Sequence, residues 1–91
     1  MRIRWLPRAE RDLGRLYDFL KDVAPRAAAR SIQNIIAAVR RLSDYPRVGR
    51  IIETYQPREV RALVVNDYEV HYEIIDEWLI ILRVWHARED R

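Results

Sequence analysis

The chain of 91 residues is long enough for one small domain, which we place at residues 1–91. Its apolar fraction of 49% is typical of a globular protein and too high for a disordered chain. The absence of cysteine excludes disulfides, a thiol nucleophile and cysteine-based metal sites. No apolar run approaches the roughly 18 residues of a membrane span, and the first residues lack the apolar stretch of a signal peptide. We therefore expect a cytoplasmic protein without membrane association.

The net charge is +3, from 17 basic and 14 acidic residues. Lys21 is the only lysine, so the other 16 basic residues are arginines. The planar guanidinium of arginine matches carboxylates and phosphates and stacks on aromatic rings, which suits an acidic protein groove or a nucleic-acid backbone. A GC-rich genome is the alternative explanation of this bias.

The first half of the chain predicts one strand and two helices. Residues 1–6 alternate between apolar and polar, which is typical of a strand with one buried face. Apolar residues then recur every three or four positions over residues 8–23 and again over 26–43. The short break before Pro25 forces the two helices into an antiparallel hairpin. We interpret Gly14, inside the first helix, as a site where the neighbouring helix approaches closely.

The second half predicts three consecutive strands joined by tight turns. The strands cover residues 58–64, 68–75 and 79–86. Asn66 and Asp67 supply the first turn, and Asp76 and Glu77 the second. The segment before these strands, residues 47–57, shows no clean period and contains either a short strand or a loop packed on the core.

The apolar pattern also predicts the register of these strands. A two-residue first turn would pair Arg61 with Tyr72 and mix charge with core, so a three-residue loop is favoured. The same reasoning applies at the second turn. The two predicted loops are residues 65–67 and 76–78. In this register the face opposite the helices carries a row formed by Arg61, His71 and Arg83.

The element order is β-α-α-β-β-β, which predicts an α+β domain. The antiparallel helical hairpin is expected to pack on one face of a mainly antiparallel sheet. His86 falls at the end of the last strand, on the apolar side near Tyr68. Two glycines are too few for a glycine-rich phosphate loop, and the histidines and carboxylates lack metal-ligand spacing. We predict neither a metal nor any other cofactor.

A series of short motifs resembles the RelE/ParE toxin superfamily over nearly the whole chain, from Trp5 to Arg88. The motifs are AERDL at 9–13, YDFL at 17–20, PRAA at 25–28, LSDYP at 42–46, GR at 49–50, REV at 58–60, YEVHY at 68–72 and RVWHAR at 83–88. No single motif is specific, but their order and spacing together are. The P-x-A-A and L-x-x-x-P-x-x-G-R patterns resemble the ParE branch best, whose members are also called plasmid stabilisation proteins.

The resemblance implies the toxin of a type II toxin–antitoxin system, which arrests growth until an antitoxin binds it. ParE-type toxins share the fold of RelE-type ribosome-dependent mRNA endonucleases but are held to inhibit DNA gyrase. We therefore expect a gyrase inhibitor, with the mRNA endonuclease as the alternative and an inactive or nucleic-acid-binding relative as a third interpretation. The expected partners are a cognate antitoxin of ribbon-helix-helix type and DNA gyrase, or the ribosome with its mRNA in the alternative.

The alternative of RNA cleavage supplies four candidate catalytic residues. Arg61 and Arg83 can hold phosphates, and His71 and His86 can act as acid and base near neutral pH. Nuclease members often have a tyrosine after the histidine that His86 resembles, whereas Ala87 follows here, which favours gyrase inhibition. The structural alternative is a solvated sheet face with cross-strand ion pairs, and a hydrogen-bonded histidine at the strand end.

Basic and aromatic residues also alternate near the end of the last strand. Such interleaving suits contact with a protein partner or stacking on bases. The predicted partner-binding residues are Arg61, Arg83, Trp85, His86 and Arg88. Core packing is the alternative for the tryptophans.

Overall fold

A computed structural model describes residues 1–87 and shows two helices packed on one face of a five-stranded sheet. The strands are β1 (Arg2–Trp5), β2 (Arg50–Ile51), β3 (Glu59–Val65), β4 (Tyr68–Ile75) and β5 (Trp78–His86). The helices are α1 (Pro7–Lys21) and α2 (Pro25–Leu42), and a short 3-10 helix spans Glu53–Tyr55. The sheet order is β1-β5-β4-β3-β2, with β1 parallel to β5 and the other pairs antiparallel. The predicted α+β architecture is confirmed, with β2 as a short edge strand.

Both helices begin at a proline. Pro7 and Pro25 lie in the first turn, where the missing N–H removes no helical hydrogen bond. Neither helix has a side-chain hydrogen bond at its N-cap, so proline is the local signal that starts each one. Arg40 and Arg41 in the last turn of α2 interact favourably with the helix dipole. α1 lies over β5 and against α2, and α2 reaches β3.

The core fills the space between the helices and the facing side of the sheet. Its fully buried side chains include Ile35, Val39, Leu42, Val70, Tyr72, Leu79, Ile81 and Val84. Burying one aliphatic side chain of this size stabilises a fold by about 1.5–3 kcal/mol. Val70 and Tyr72 of β4 face this core. Side chains alternate along a strand, so Glu69, His71 and Glu73 point to the other side of the sheet, which we call the open face.

The register of the β3–β4 hairpin differs from the prediction. The turn has only two residues, Asn66 and Asp67, so Arg61 pairs with Tyr72. Asn66 has a φ of 54°, a left-handed conformation that asparagine tolerates and that the turns of two-residue hairpins require. The predicted three-residue loop is therefore wrong, because turn geometry prevails over the alternation of apolar residues.

The second turn is also two residues long, at Asp76 and Glu77, where three residues were predicted. Asp76 again has a positive φ, of 53°. β5 then compensates with a bulge at Leu82, which faces no partner residue on β4. Beyond the bulge the register returns to the predicted one, so that Val70 pairs with Val84.

Tyr72 attaches the loop between α2 and β2 to the sheet. Its hydroxyl donates to the carbonyl oxygen of Pro46 at 2.7 Å and accepts from the Gly49 amide at 3.0 Å. Burial raises the pKa of Tyr72, which keeps the hydroxyl protonated as a donor. A Cβ on Gly49 would lie 2.6 Å from this hydroxyl and 2.8 Å from the carbonyl oxygen of Ala62. Glycine is therefore what lets the loop approach the sheet so closely.

Gly14 has no comparable role. It is exposed on α1, and apart from its two chain neighbours and the local helix backbone no atom lies within 4 Å of the position that its Cβ would take. The interpretation of Gly14 as a site of close helix approach is wrong. The contact between α1 and α2 uses other positions of the two helices.

Candidate partner-binding surface

His71 lies at the centre of a chain of contacts on the open face. Its Nε2 is 2.9 Å from Oε1 of Glu69, an oxygen that also accepts from Arg50 at 3.0 Å. The His71 ring meets the Trp85 ring edge to face, with centroids 4.5 Å apart. The side chains of His71 and Glu69 are only 14% and 11% exposed. The candidate histidine is thus held through Nε2 and through its ring.

A buried carboxylate of α1 holds Arg83 at the β5 bulge. Nε and one Nη of Arg83 donate to the two oxygens of Asp12 at 2.8 and 3.2 Å. The backbone N–H of Val84 donates to the same carboxylate at 2.9 Å. Burial alone would raise the pKa of Asp12, but the bonds from Arg83 and Val84 outweigh burial and lower that pKa. Asp12 therefore ties α1 to β5 as an ionised, hydrogen-bonded group.

Arg83 is in contact with the same aromatic ring as His71. Its guanidinium carbon lies 4.7 Å from the centroid of Trp85. Arg83 also pairs with His71 across the strands, which confirms that these two residues are cross-strand neighbours. An arginine stacked on an aromatic ring and bonded to a carboxylate has a restricted orientation.

Arg61 lies on the other side of the sheet, so the predicted row of Arg61, His71 and Arg83 is wrong. Arg61 pairs directly with Tyr72, whose side chain belongs to the core between sheet and helices. His71 is the next residue along β4 and points to the open face. The error follows from the two-residue turn, because a shift of one residue moves every side chain of β3 to the opposite face.

Arg61 has a structural task on the helix side. Its guanidinium donates to Glu59 at 2.9 Å and to the carbonyl oxygens of Arg47 and Gly49 at 3.2 and 2.6 Å. Its side chain is only 16% exposed. Burial would raise the pKa of Glu59, but the bonds from Arg61 and Arg47 lower it. Arg61 therefore fastens the loop that precedes β2.

His86 lies where the sequence predicts it, at the end of β5 beside Tyr68. The two residues pair across the strands, and their rings meet edge to face with centroids 5.3 Å apart. Tyr68 and His71 are three residues apart on β4, so their side chains point to opposite faces. The two histidines of the chain therefore lie on opposite sides of the sheet. Arg88, the last predicted contact residue, lies outside the described residues.

The carboxylates of the open face form ion pairs with arginines that precede β3 in the chain. Glu69 pairs with Arg50 at 3.0 Å and Glu73 with Arg58 at 2.7 Å. The hydrogen bond from Arg58 lowers the pKa of Glu73.

Within residues 1–87, no three histidine, cysteine or acidic side chains form a group that could hold a metal ion. In the same range, neither helix has the length and apolar character needed to cross a membrane.

A second candidate surface is a groove of about 620 Å³ between α2 and β3, which we call the α2–β3 groove. It is lined by Asn34, Ala37, Ala38, Arg41, Leu42, Tyr45, Val48, Leu63, Val64, Val65 and Asn66. The lining residues Tyr45, Val48 and Val64 are 70%, 65% and 66% exposed, which is unusual for large apolar side chains. α2 carries arginines and no acidic residue along its 18 positions. The groove thus combines exposed apolar side chains with one basic residue, Arg41.

The family model described as the ParE toxin of the type II toxin–antitoxin system parDE matches residues 3–91. The chain belongs to the ParE toxin family. Toxin RelE3 of Caulobacter vibrioides is 32% identical over 89 residues, which cover 93% of this chain and 92% of that protein. This ParE-family chain is therefore the toxin of a type II toxin–antitoxin system of the ParE/RelE group.

Solved structures agree with the fold of this toxin. A chain of the chromosomal ParDE TA system from P. aeruginosa superposes with a TM-score of 0.80 at 24% identity, covering 94% of this chain and 95% of that chain. A chain of the toxin–antitoxin complex RelBE2 from Mycobacterium tuberculosis superposes with a TM-score of 0.61 at 28% identity, covering 93% and 95%. Both superpositions show the fold of this chain, and the second protein was solved as a toxin–antitoxin complex.

Sequence reasoning missed two features of this toxin. Asp12 lies three residues after Ala9 and four before Leu16, inside the apolar stripe of α1. A carboxylate within a core-facing stripe signals a buried partner, so Asp12 was detectable in principle. The α2–β3 groove has no comparable local signal, because its walls come from segments far apart in the chain. Of the properties of this groove, only the absence of acidic residues in α2 can be recognised in the sequence.

Proposed function

We propose that this toxin inhibits DNA gyrase by binding it, and that it does not cleave RNA. The observation that carries the proposal is the position of the histidines. His71 lies on the open face, whereas His86 pairs with Tyr68 on the helix side. General acid–base cleavage of RNA needs a base for the 2′-hydroxyl and an acid for the leaving oxygen on one substrate. Two histidines separated by the sheet do not supply that pair.

The contacts of the candidate arginines support the same conclusion. Arg83 is bonded to Asp12, and Arg61 is bonded to Glu59 and to loop carbonyls on the helix side. Phosphate binding through the Nε of either guanidinium would have to replace these contacts. Both arginines therefore act first as internal supports of the fold. A protein target makes no demand for an acid–base pair and fits the ParE family better.

We assign the target contact to the open face near the end of β5, around Trp85. The Trp85 ring is in contact with both Arg83 and His71, so a basic and aromatic surface is presented there as a unit. Tryptophan and arginine are the residue types most often found at the energetic centre of protein interfaces. Trp85→Ala is expected to weaken gyrase inhibition more than Trp78→Ala, because Trp78 lies at the other end of β5.

We also propose that a cognate antitoxin of ribbon-helix-helix type neutralises the toxin through an acidic, extended region. The arginines of α2, of which Arg41 lines the groove, and the exposed apolar side chains of the α2–β3 groove support this assignment. Disordered acidic segments that fold on binding suit such a surface. Adding the antitoxin to an inhibited gyrase reaction is expected to restore supercoiling.

The test measures gyrase supercoiling and ribosome-dependent mRNA cleavage in parallel with the purified toxin. We expect inhibition of supercoiling and no cleavage. His71→Ala and His86→Ala are expected to remain inhibitors if they fold normally, which circular dichroism checks. Cleavage without gyrase inhibition would overturn the proposal.

An mRNA endonuclease is the second candidate function. Two observations favour it: a 32% identical relative is named Toxin RelE3, and His71 pairs with Arg83 on one face. In that case His71 would act beside Arg83 without His86. Loss of cleavage in His71→Ala with full cleavage in His86→Ala would identify this arrangement.

A further inference from the structure

The outer edge of β3 is covered over only part of its length. β2 pairs with Arg61 and Ala62. The N–H of Ile52 then donates to the carbonyl oxygen of Val60 at 2.9 Å. All these contacts lie before residues 63–65. Among residues 1–87, no other strand flanks that last part of β3 on the side away from β4.

Val64 directs its backbone groups to this uncovered edge. In a two-residue hairpin the residues that flank the turn bond to each other, so Val65 directs its N–H and C=O toward Tyr68. Backbone groups alternate in direction along an antiparallel strand. The backbone N–H and C=O of Val64 therefore point the same way as those of Val60, whose carbonyl oxygen accepts from Ile52 outside the hairpin. One donor and one acceptor of Val64 thus stand at the sheet edge.

This edge borders the α2–β3 groove. Ala37 and Ala38 are small and leave room next to β3, and Tyr45 and Val48 add exposed apolar surface. Arg41 is the one charged residue among the described residues that line the groove. A strand edge, apolar contacts and a single cation therefore meet in one place.

We propose that an extended segment of the antitoxin adds to the sheet at Val64 as a short sixth strand, on the same side of β3 as β2. Its backbone bonds to the N–H and C=O of Val64, its apolar side chains enter the groove, and a carboxylate pairs with Arg41. A helix satisfies its own backbone groups and cannot bond to Val64 in this way. The proposal rests on the antitoxin partner proposed above and adds the conformation and position of the bound segment.

Amide hydrogen exchange tests the proposal directly. Exchange of the Val64 amide is measured in the free toxin and in its complex with the antitoxin encoded in the neighbouring reading frame. We expect exchange at Val64 to slow at least about tenfold in the complex, as a new hydrogen bond requires. Leu63 is the internal reference, because it pairs with Val70 in the free toxin as well. Unchanged exchange at Val64 in the complex would overturn the proposal.

Two pairs of variants test the backbone and the charge separately. Val64→Pro removes the outward N–H without breaking a bond to β4, and edge strands tolerate proline at such positions. Val64→Thr keeps the N–H and the branched shape. We expect Val64→Pro to weaken antitoxin binding about tenfold and Val64→Thr to change it less than about threefold. If Val64→Pro does not fold, the exchange experiment decides.

Arg40 provides a matched control for Arg41, because both are exposed in the last turn of α2 and only Arg41 lines the groove. Arg41→Gln is expected to weaken antitoxin binding about three- to fivefold, and Arg40→Gln less than about twofold. Equal effects of the two substitutions would overturn the assignment of a carboxylate to Arg41.

Gyrase inhibition by the free variants is the separate readout for the proposed function. We expect Arg41→Gln to inhibit at the wild-type level, because Arg41 lies on α2 and Trp85 lies on the opposite face of the sheet. Val64 shares the open face with Trp85, with Glu69 between them, so Arg41→Gln is the variant on which this readout rests. If antitoxin binding withstands both Val64→Pro and Arg41→Gln, strand addition is overturned and gyrase inhibition stands. The same holds if the antitoxin does not bind the wild-type toxin. Protection of Val64 without gyrase inhibition would overturn only the proposed target.

Discussion

Two regions of this toxin use their polar groups in opposite ways. Around the sheet, the bonds of Asp12 with Arg83, of Arg61 with its loop and of Tyr72 with Gly49 are internal, and we call them the anchor contacts. In the α2–β3 groove, the backbone of Val64 and the side chain of Arg41 border open space beside exposed apolar residues. The anchor contacts hold helix and loop on the sheet, whereas the groove has unused bonding capacity. Substitutions in the first region should therefore reduce stability, and those in the second should reduce binding.

The largest expected effect is that of Asp12→Ala. It leaves the Arg83 guanidinium and the Val84 N–H without their acceptor in a buried place, which costs about 3–5 kcal/mol of the free energy of unfolding. Urea unfolding followed by tryptophan fluorescence measures the loss. Asp18→Ala is the control, because Asp18 is an exposed residue of the same helix. Comparable losses in the two variants would show that Asp12 is not an anchor.

Acid should weaken the same contacts. The folded-state pKa values of Asp12, Glu59 and Glu73 are lowered, so the unfolded chain binds protons more readily than the folded chain as the pH falls. The stability from these groups is complete above about pH 5 and is lost as the pH falls through the lowered values. Urea midpoints between pH 7 and pH 3 measure the loss. Asp12→Asn should be less stable at pH 7 and should lose less between the two pH values; a parallel loss would contradict the prediction.

Gly49→Ala is expected to be the next largest change. The new methyl group would lie 2.8 Å from the carbonyl oxygen of Ala62, a backbone atom that moves only if β3 moves. Overpacking of this kind costs about 1–3 kcal/mol. Thermal unfolding measures the change. Val48→Ala, an exposed position in the same loop, should leave stability nearly unchanged, and a larger effect there than at Gly49 would refute the anchor role.

The contrast between the regions also explains which parts of the fold were predictable. Periodicity and the prolines gave the helices and strands to within a few residues, because each signal is local. The register of β3 was not predictable from apolar alternation, since it depends on the positive φ of Asn66. Arg61 on the helix side is tolerated only because Glu59 and the loop carbonyls satisfy its guanidinium, and those carbonyls come from a segment without a periodic pattern. Of the candidate site, the neighbourhoods of His86 and of His71 with Arg83 were predictable because they lie beyond the compensating bulge.

Gly14→Ala should have a smaller effect and the opposite sign to Gly49→Ala. Gly14 lies in the interior of α1, is exposed and has open space at the Cβ position. Alanine in place of glycine at such a helical position stabilises by about 1 kcal/mol. The melting temperature should therefore rise, with gyrase inhibition and antitoxin binding unchanged. A fall in melting temperature would mean that Gly14 makes a contact with another part of the molecule after all.

The smallest expected change in stability is that of Arg41→Gln, and it separates the two regions most sharply. Arg41 is exposed, and its loss removes only a favourable interaction with the end of the α2 dipole, worth about 0.5 kcal/mol. Urea unfolding should therefore hardly distinguish Arg41→Gln from Arg40→Gln, while antitoxin binding should distinguish them. The reverse pattern holds for Asp12→Ala, which should lose stability first and binding only as the fold fails. If Arg41→Gln instead destabilised the toxin as strongly as an anchor substitution, the groove would be part of the supporting structure, and the division between holding the fold and receiving a partner would not apply.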